Sequence, residues 1–268
     1  MSTAQRIALH GPWRRQLVKL GGCIVAVSAL LPLIYLALLT VADRWQAPRL
    51  LPEGLRLDRL SNVLSSSTGL LESLLLSLFI GGLVAAGSTA LGFVTSRQLA
   101  YTRRLRLWLL LAYLPFAISP VVLATCLLFV FIKVHLSGTL LGVILAQIML
   151  AYGFATILLL GLWNPHKQGL EQVARTLGAN PRQVWMQVLI PASLPLLRVC
   201  FFQTFLISWA QYGLTALIGS GKVRTLPLRV FDYAMEADPA YAAVAGLLLI
   251  VPPLALLWIE RRIVFKVV

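Results

Sequence analysis

The chain has 268 residues, of which 59% are hydrophobic and 12% are charged. This low charged fraction and the mean hydropathy of +0.86 exclude an ordinary soluble domain, in which about a quarter of residues are charged, and predict an all-α integral membrane protein. The formal net charge of +14 would suggest nucleic acid binding in a soluble protein, but in a membrane protein Lys and Arg set orientation, so we expect no nucleic acid partner.

Six apolar stretches are each long enough to cross about 30 Å of hydrocarbon as a helix, and none contains Asp, Glu, Lys or Arg. The first is too long for a signal-peptide core and lacks a convincing cleavage site, so we predict that it remains as a span. The sequence therefore predicts a membrane domain over 20–260, between an N-terminal tail (1–19) and a C-terminal tail (261–268). The predicted spans are 20–42, 74–95, 107–132, 139–162, 199–218 and 240–259.

The distribution of basic residues predicts the orientation of these spans. With the N-terminus inside, the inner segments carry 14 Lys and Arg residues and the outer loops carry eight. Because loops rich in Lys and Arg stay in the cytoplasm, we expect both termini there. The segment 163–193, between the fourth and fifth spans, is then cytoplasmic as well.

The spans contain no Asp, Glu, His or Lys, and they show no arrangement typical of an enzyme active site. A proton- or ion-driven carrier usually needs an ionisable residue within its spans, and an enzyme needs a base, nucleophile or metal site. The cysteines and histidines form no metal-binding pattern. The stretch "ALIGSGKVRT" resembles a P-loop but has Ala216 and Val223 where that motif requires Gly and Ser or Thr. We therefore expect no catalytic residue and no metal site, and an energy source on a partner chain.

The segment 163–193 begins with the signals of an amphipathic helix. Asn164 and Pro165 suit its N-cap and first helical position. Gly178 suits a left-handed residue at its end. One apolar stripe follows the helical spacing i, i+3, i+4 and i+7 at Leu170, Val173, Ala174 and Leu177.

A second helix is predicted directly after this turn. Asn180 and Pro181 repeat the cap signal, and Val184/Val188 and Trp185/Leu189 are apolar i, i+4 pairs. Pro191 is expected to limit its continuation. The spacing of apolar residues in the segment 163–193 supports a solvated connector and a docking element about equally, because helices of both kinds have this periodicity.

The stretch "LEQVARTLGANPRQVWMQVLIPASLP" resembles the EAA loop in permease subunits of type I, binding-protein-dependent ABC importers, the MetI-like superfamily. The triplet aligns with Gln172, Val173 and Ala174, so Gln replaces the usual Glu, while an acid remains one position earlier at Glu171. The resemblance covers about 72–260, and the pattern "SWAQYGLTALIGSGKVRTLPL" is nearest to the polyamine, thiamine, ferric-iron and sulfate branch. It favours the docking element strongly.

The resemblance implies six transmembrane helices with a cytoplasmic helix-turn-helix coupling loop at 163–193, in a bacterial inner membrane. It also implies two ATP-binding subunits, a second permease subunit, and a periplasmic or lipid-anchored solute-binding protein. ATP and Mg would be bound by the ATPase, with no cofactor in this chain. The implied ATPase-coupling residues are Leu170, Glu171, Gln172, Val173, Ala174, Arg175, Leu177, Gly178 and Pro191, with Arg182 at the rim.

The substrate path is less well marked in the sequence. Polar or amphipathic residues within or near the spans are candidates for it, although contacts between helices explain them better. An ATP-independent carrier and a membrane scaffold that transports nothing are the rival functions. The path candidates are Gln147, Tyr152, Trp209, Gln211 and Tyr212.

Overall fold

The computed structural model describes residues 12–42, 54, 69–102, 105–236 and 239–264. Helices make up nearly all of this part of the chain, which confirms the predicted all-α class. Most of the predicted tails lies outside the described residues, except that α1 already includes 12–19 and α11 extends to 264. The helices are α1 (Pro12–Val41), α2 (Leu70–Ala100), α3 (Leu105–Ala117), α4 (Pro120–Lys133), α5 (Leu140–Leu160), α6 (Pro165–Thr176), α7 (Pro181–Gln183), α8 (Ile190–Trp209), α9 (Gly213–Gly219), α10 (Leu226–Met235) and α11 (Pro239–Val264).

Five helical stretches in the described part are long and apolar enough to cross a membrane. The bent pair α3–α4 provides a sixth if its two halves form one span. The five are Lys19–Val41, Leu70–Ala100, Leu140–Leu160, Pro181–Trp209 and Ala240–Arg261.

The third predicted span is not one straight helix. The chain bends by 98° between α3 and α4, at the sequence Ile118-Ser119-Pro120. Pro120 disfavours helical geometry at the residue before it, and Ser119 is accordingly extended, with φ −53° and ψ 135°. The predicted span 107–132 therefore consists of two helices, α3 and α4, that meet at a bend.

The fifth predicted span also has different limits. The helical stretch starts at Pro181, ends at Trp209, and is followed by a break at 210–212 and the short helix α9. A Cβ atom on Gly213 would lie 2.8 Å from Cγ2 of Val121, so the absence of a side chain there lets α9 approach α4. The predicted range 199–218 thus combined two helices.

The core is built around α2, which packs against α5 and α8. Gly92 brings α2 close to α5: a Cβ atom there would lie 2.8 Å from Cβ of Ala155. Gly153 brings α5 equally close to α3, because its Cβ atom would lie 2.7 Å from the carbonyl oxygen of Ala112. Small residues at such crossings let helix backbones approach in a membrane.

Candidate coupling site

The first helix of the segment 163–193 begins and ends where its capping residues place it, and the second begins at its predicted cap. The Asn164 side chain accepts a hydrogen bond from the Lys167 amide at 2.9 Å, which caps α6. Gly178 follows the helix with φ +85°, and its amide donates to the Arg175 carbonyl while the Ala179 amide donates to the Ala174 carbonyl. This pair of bonds is a Schellman motif, which requires a left-handed residue.

The second helix does not end at Pro191, contrary to the prediction. Asn180 and Gln183 form a reciprocal capping box with bonds of 2.8 and 2.9 Å. The chain then makes a π-helical turn over Val184–Leu189 and continues through Pro191 as α8. A proline ring normally clashes with the carbonyl four residues earlier. The wider turn just before Pro191 shifts those carbonyls, so the helix continues.

The apolar stripe of α6 is divided between two faces. Val173 is 57% exposed and Leu177 is 82% exposed, and Leu170 is exposed beside them. These three residues form the exposed apolar row. Ala174 is only 9% exposed and belongs to the bundle's own core, so the expectation that it packs into a partner was wrong. Gln172 is exposed.

Glu171 lies on the buried side of α6 and is 4% exposed. Its carboxylate accepts hydrogen bonds from the Arg97 Nε at 3.2 Å and from the Tyr101 hydroxyl at 3.0 Å. Arg97 Nη2 and Arg175 Nη2 both donate to the other oxygen, the latter at 2.7 Å. These four residues form the Glu171 cluster, which joins α6 to the end of α2.

Aromatic side chains extend this connection to the π-helical turn. The Arg97 guanidinium lies 5.2 Å from the ring centroid of Trp185, and Trp185 meets Phe93 edge to face at 5.3 Å. Trp163, just before α6, donates from Nε1 to the Ser96 hydroxyl at 2.9 Å. The end of α2 therefore contacts both helices of the segment.

The electrostatics of the Glu171 cluster favour an ionised carboxylate. Burial raises the pKa of Glu171, but the hydrogen bonds from Arg97, Tyr101 and Arg175 outweigh it and hold the pKa below its usual range. Burial and the bond to Glu171 raise the pKa of Tyr101, so its hydroxyl remains a donor. Two guanidinium groups share one carboxylate, and the cluster carries a net charge of +1.

Two of the five path candidates tie helices together inside the bundle. Gln147 is buried, donates to the Thr215 hydroxyl at 2.8 Å and accepts from Ser208. Trp209 is also buried, and its Nε1 donates to the Leu249 carbonyl at 2.8 Å. Both side chains have their hydrogen-bonding groups satisfied within the fold.

The other three candidates lie apart from this pair. Tyr152 lines a cavity of about 540 Å³ with Thr95, Gln98 and Trp108. Tyr212 is partly exposed, and its ring centroid lies 4.7 Å from that of Phe231. Gln211 is half-buried at the break after α8. The structure therefore does not bring the five candidates together in one site.

Sequence reasoning missed the residues of α2 that hold this segment. From the sequence, Arg97 was counted only as one of the basic residues that predict orientation, and Tyr101 was not considered. Both lie about 70 residues from Glu171 in the chain, and local periodicity carries no information on such pairs. The one sequence signal for this contact was Glu171, an acidic residue next to the degenerate EAA triplet.

Comparison with known proteins identifies relatives of this chain. A family model described as "Binding-protein-dependent transport system inner membrane component" matches residues 88–268. The molybdenum transport system permease protein ModB of Mycobacterium tuberculosis is 32% identical over 167 residues, 57% of this chain and 63% of ModB. The putative 2-aminoethylphosphonate transport system permease protein PhnV of Salmonella typhimurium is 27% identical over 239 residues, 87% of this chain and 88% of PhnV.

A solved structure has the same fold. The crystal structure of a bacterial ABC transporter involved in the import of the acidic polysaccharide alginate superposes with a TM-score of 0.66. The superposition covers 96% of each chain at 16% sequence identity. The match to ModB, in contrast, spans less than two thirds of that protein's length.

Proposed function

The chain belongs to the family of binding-protein-dependent transport system inner membrane components, and from this premise we propose that it is a permease subunit of an ABC importer. It forms half of a path for a small solute that an extracytoplasmic binding protein delivers. ATP hydrolysis on a separate subunit drives the transport. The chain itself is a multi-pass inner membrane protein and the transport subunit of the complex.

The face of α6 carries this proposal. The helix exposes Leu170, Val173 and Leu177 at the spacing i, i+3 and i+7, which is the pattern of a helix that fits a groove on a partner. The Glu171 cluster fastens the opposite face to α2. A force applied to the exposed row is therefore passed to a membrane span.

The connection to a second span is continuous helix. The π-helical turn and α8 follow the capping box at Asn180 without a break. Movement of the segment 163–193 thus acts on α2 through side chains and on α8 through the backbone. Closure of two ATPases would bias the spans between inward-open and outward-open states, and the solute receptor would bias the same equilibrium from outside.

The proposed assembly contains a second permease chain, the same or related, and two ATPases that bind ATP and Mg. Both termini and the segment 163–193 lie in the cytoplasm. The six predicted spans contain no Asp or Glu, so the path holds no carboxylate with which to bind a cation tightly. The solute receptor therefore sets the specificity of uptake.

Purification of the intact complex tests this function. We expect an ATPase to copurify with the tagged permease, and its activity in proteoliposomes to rise when solute-loaded receptor is added outside. A carrier would take up solute without ATP, and a scaffold would take up none. Either result in a complex of intact composition would overturn the proposal.

A further inference from the structure

The segment 163–193 offers a partner no available carboxylate. Glu171 is the one acid in this stretch of the sequence, and it is buried with its oxygens bonded to Arg97, Tyr101 and Arg175. The motif position that usually carries an acid is occupied by Gln172, which is exposed and neutral.

Two exposed guanidinium groups lie in the same segment as the exposed apolar row. The Arg175 side chain is 59% exposed and uses one of its five N–H donors on Glu171. Arg182 is exposed, and its side chain has no hydrogen bond or ion pair with any other residue in the described part of the chain. Lys167, Arg175 and Arg182 against Glu171 give the segment a net charge of +2.

The apolar part of this surface continues onto the second helix. Met186 is exposed on the π-helical turn, close in sequence to Arg182. Because α6 packs against the π-helical turn, these exposed apolar and cationic residues belong to one part of the surface, and we call it the α6–π surface (Leu170, Val173, Arg175, Leu177, Arg182 and Met186).

We infer that the ATPase receives the α6–π surface in an apolar groove whose rim carries Asp or Glu side chains, which pair with Arg175 and Arg182. This inference rests on the proposed function and specifies the partner's chemistry. A rim of Lys or Arg would place like charges opposite each other, and this repulsion would weaken binding. A rim without charge would leave two guanidinium groups at the contact without partners.

The negative charge of the groove rim also accounts for the presence of Gln instead of the usual Glu at position 172. A carboxylate there would lie on the exposed side of α6 and face the acidic rim. Gln keeps the size and helix propensity of Glu without its charge. Restoring Glu is therefore the decisive change, because acidic and basic rims predict opposite results.

The test compares Gln172→Glu, Arg182→Glu and Arg182→Gln with the wild type and with Arg224→Glu, a control near the other end of the bundle. Each tagged permease is expressed with the ATPase encoded beside it, and the ATPase retained on the resin is measured in low and high NaCl. All three substituted positions are exposed, so the fold is kept, and size-exclusion chromatography verifies it.

An acidic rim predicts at least about fivefold less retained ATPase for Gln172→Glu and Arg182→Glu at low salt, a smaller loss for Arg182→Gln, and none for Arg224→Glu. High salt should narrow these differences, since rim charges are screened. Changing one acidic groove residue of the ATPase to Lys should restore binding of Arg182→Glu.

Equal or tighter binding of Gln172→Glu would overturn the inference and leave the proposed function intact. If the wild type itself retains no ATPase at low salt, both the proposed function and this inference are wrong.

Discussion

Gly178 illustrates how one residue determines the turn between the two helices of the segment 163–193. Its φ of +85° is in the left-handed region, yet a Cβ atom there would meet nothing within 4 Å. Backbone conformation rather than space therefore selects glycine. Asn tolerates this region far better than a β-branched residue does.

Replacing Gly178 by Val should uncouple transport from ATP hydrolysis. The left-handed backbone costs a β-branched residue at least about 1–2 kcal/mol, which reorients α6 relative to α7. We expect Gly178→Val to hydrolyse ATP with little uptake and Gly178→Asn to transport nearly as the wild type, measured as solute moved per ATP in proteoliposomes. Normal uptake by Gly178→Val would contradict the coupling role.

Glu171 should make the attachment of α6 depend on pH. Its pKa is lowered in the folded protein, so its stabilisation is present above the ordinary carboxyl pKa of about 4.3 and is lost as the pH falls through the lowered value. Glu171→Gln should lower the free energy of local opening by about 1–3 kcal/mol at neutral pH.

Hydrogen exchange of the α6 amides measures this effect, after correction for the intrinsic pH dependence of exchange. The wild type should lose protection below about pH 4, whereas Glu171→Gln should be weakly protected throughout. Gln172→Ala, on the exposed side, is the matched control and should behave as the wild type. Equal protection of α6 in Glu171→Gln and the wild type would show that the cluster does not hold the helix.

Among the helices, α2 has two roles. Its middle packs against α5 through Gly92, and its end binds the segment 163–193 through Arg97. Close packing holds α2 against α5, because separating them would lose dispersion contacts between the two helices.

Substitution of Gly92 by Leu should separate this pair. The new side chain would meet Cβ of Ala155 at 2.8 Å and its backbone at 3.0 Å, and such overpacking costs about 1–3 kcal/mol. We expect a lower midpoint of thermal unfolding in detergent. A Cβ atom at Gly82 on the same helix would meet nothing within 4 Å, so Gly82→Leu should leave the midpoint almost unchanged. Equal midpoints for the two variants would contradict this packing.

At the scale of the molecule, the segment 163–193 and the turn after α9 lie at opposite ends of the bundle. Thr176 and Lys222 are exposed at these two ends, and from the distribution of Lys and Arg we expect Thr176 to lie on the cytoplasmic side. Thr176→Cys and Lys222→Cys, made after Cys23 and Cys126 are changed to Ser, report on this arrangement.

A membrane-impermeant maleimide should label Lys222→Cys in intact spheroplasts and Thr176→Cys only after the membrane is permeabilised. The reverse pattern would invert the topology and place the α6–π surface away from any cytoplasmic ATPase. Labelling of both positions after permeabilisation confirms that both cysteines are accessible to the reagent.

The sequence by itself determined the helical class, the spans apart from their interruptions, and the caps of α6 and α7. These features are local: the length of an apolar run suffices to cross a membrane, and a capping residue acts on amides within its own turn. Asn164, Gly178 and Asn180 therefore do in the structure what their positions predict.

Tertiary structure decided which side of α6 faces outward, and with it the roles of Glu171 and Ala174. Leu170, Val173 and Ala174 are equivalent in an apolar periodicity, but the π-helical turn and the end of α2 cover one face of the helix and leave the other exposed. Glu171 bonds to Arg175 on its own helix, but Arg97 and Tyr101 lie at the end of α2, about 70 residues away in the chain. Hydrogen bonding of a buried carboxylate therefore depends also on residues that folding brings close.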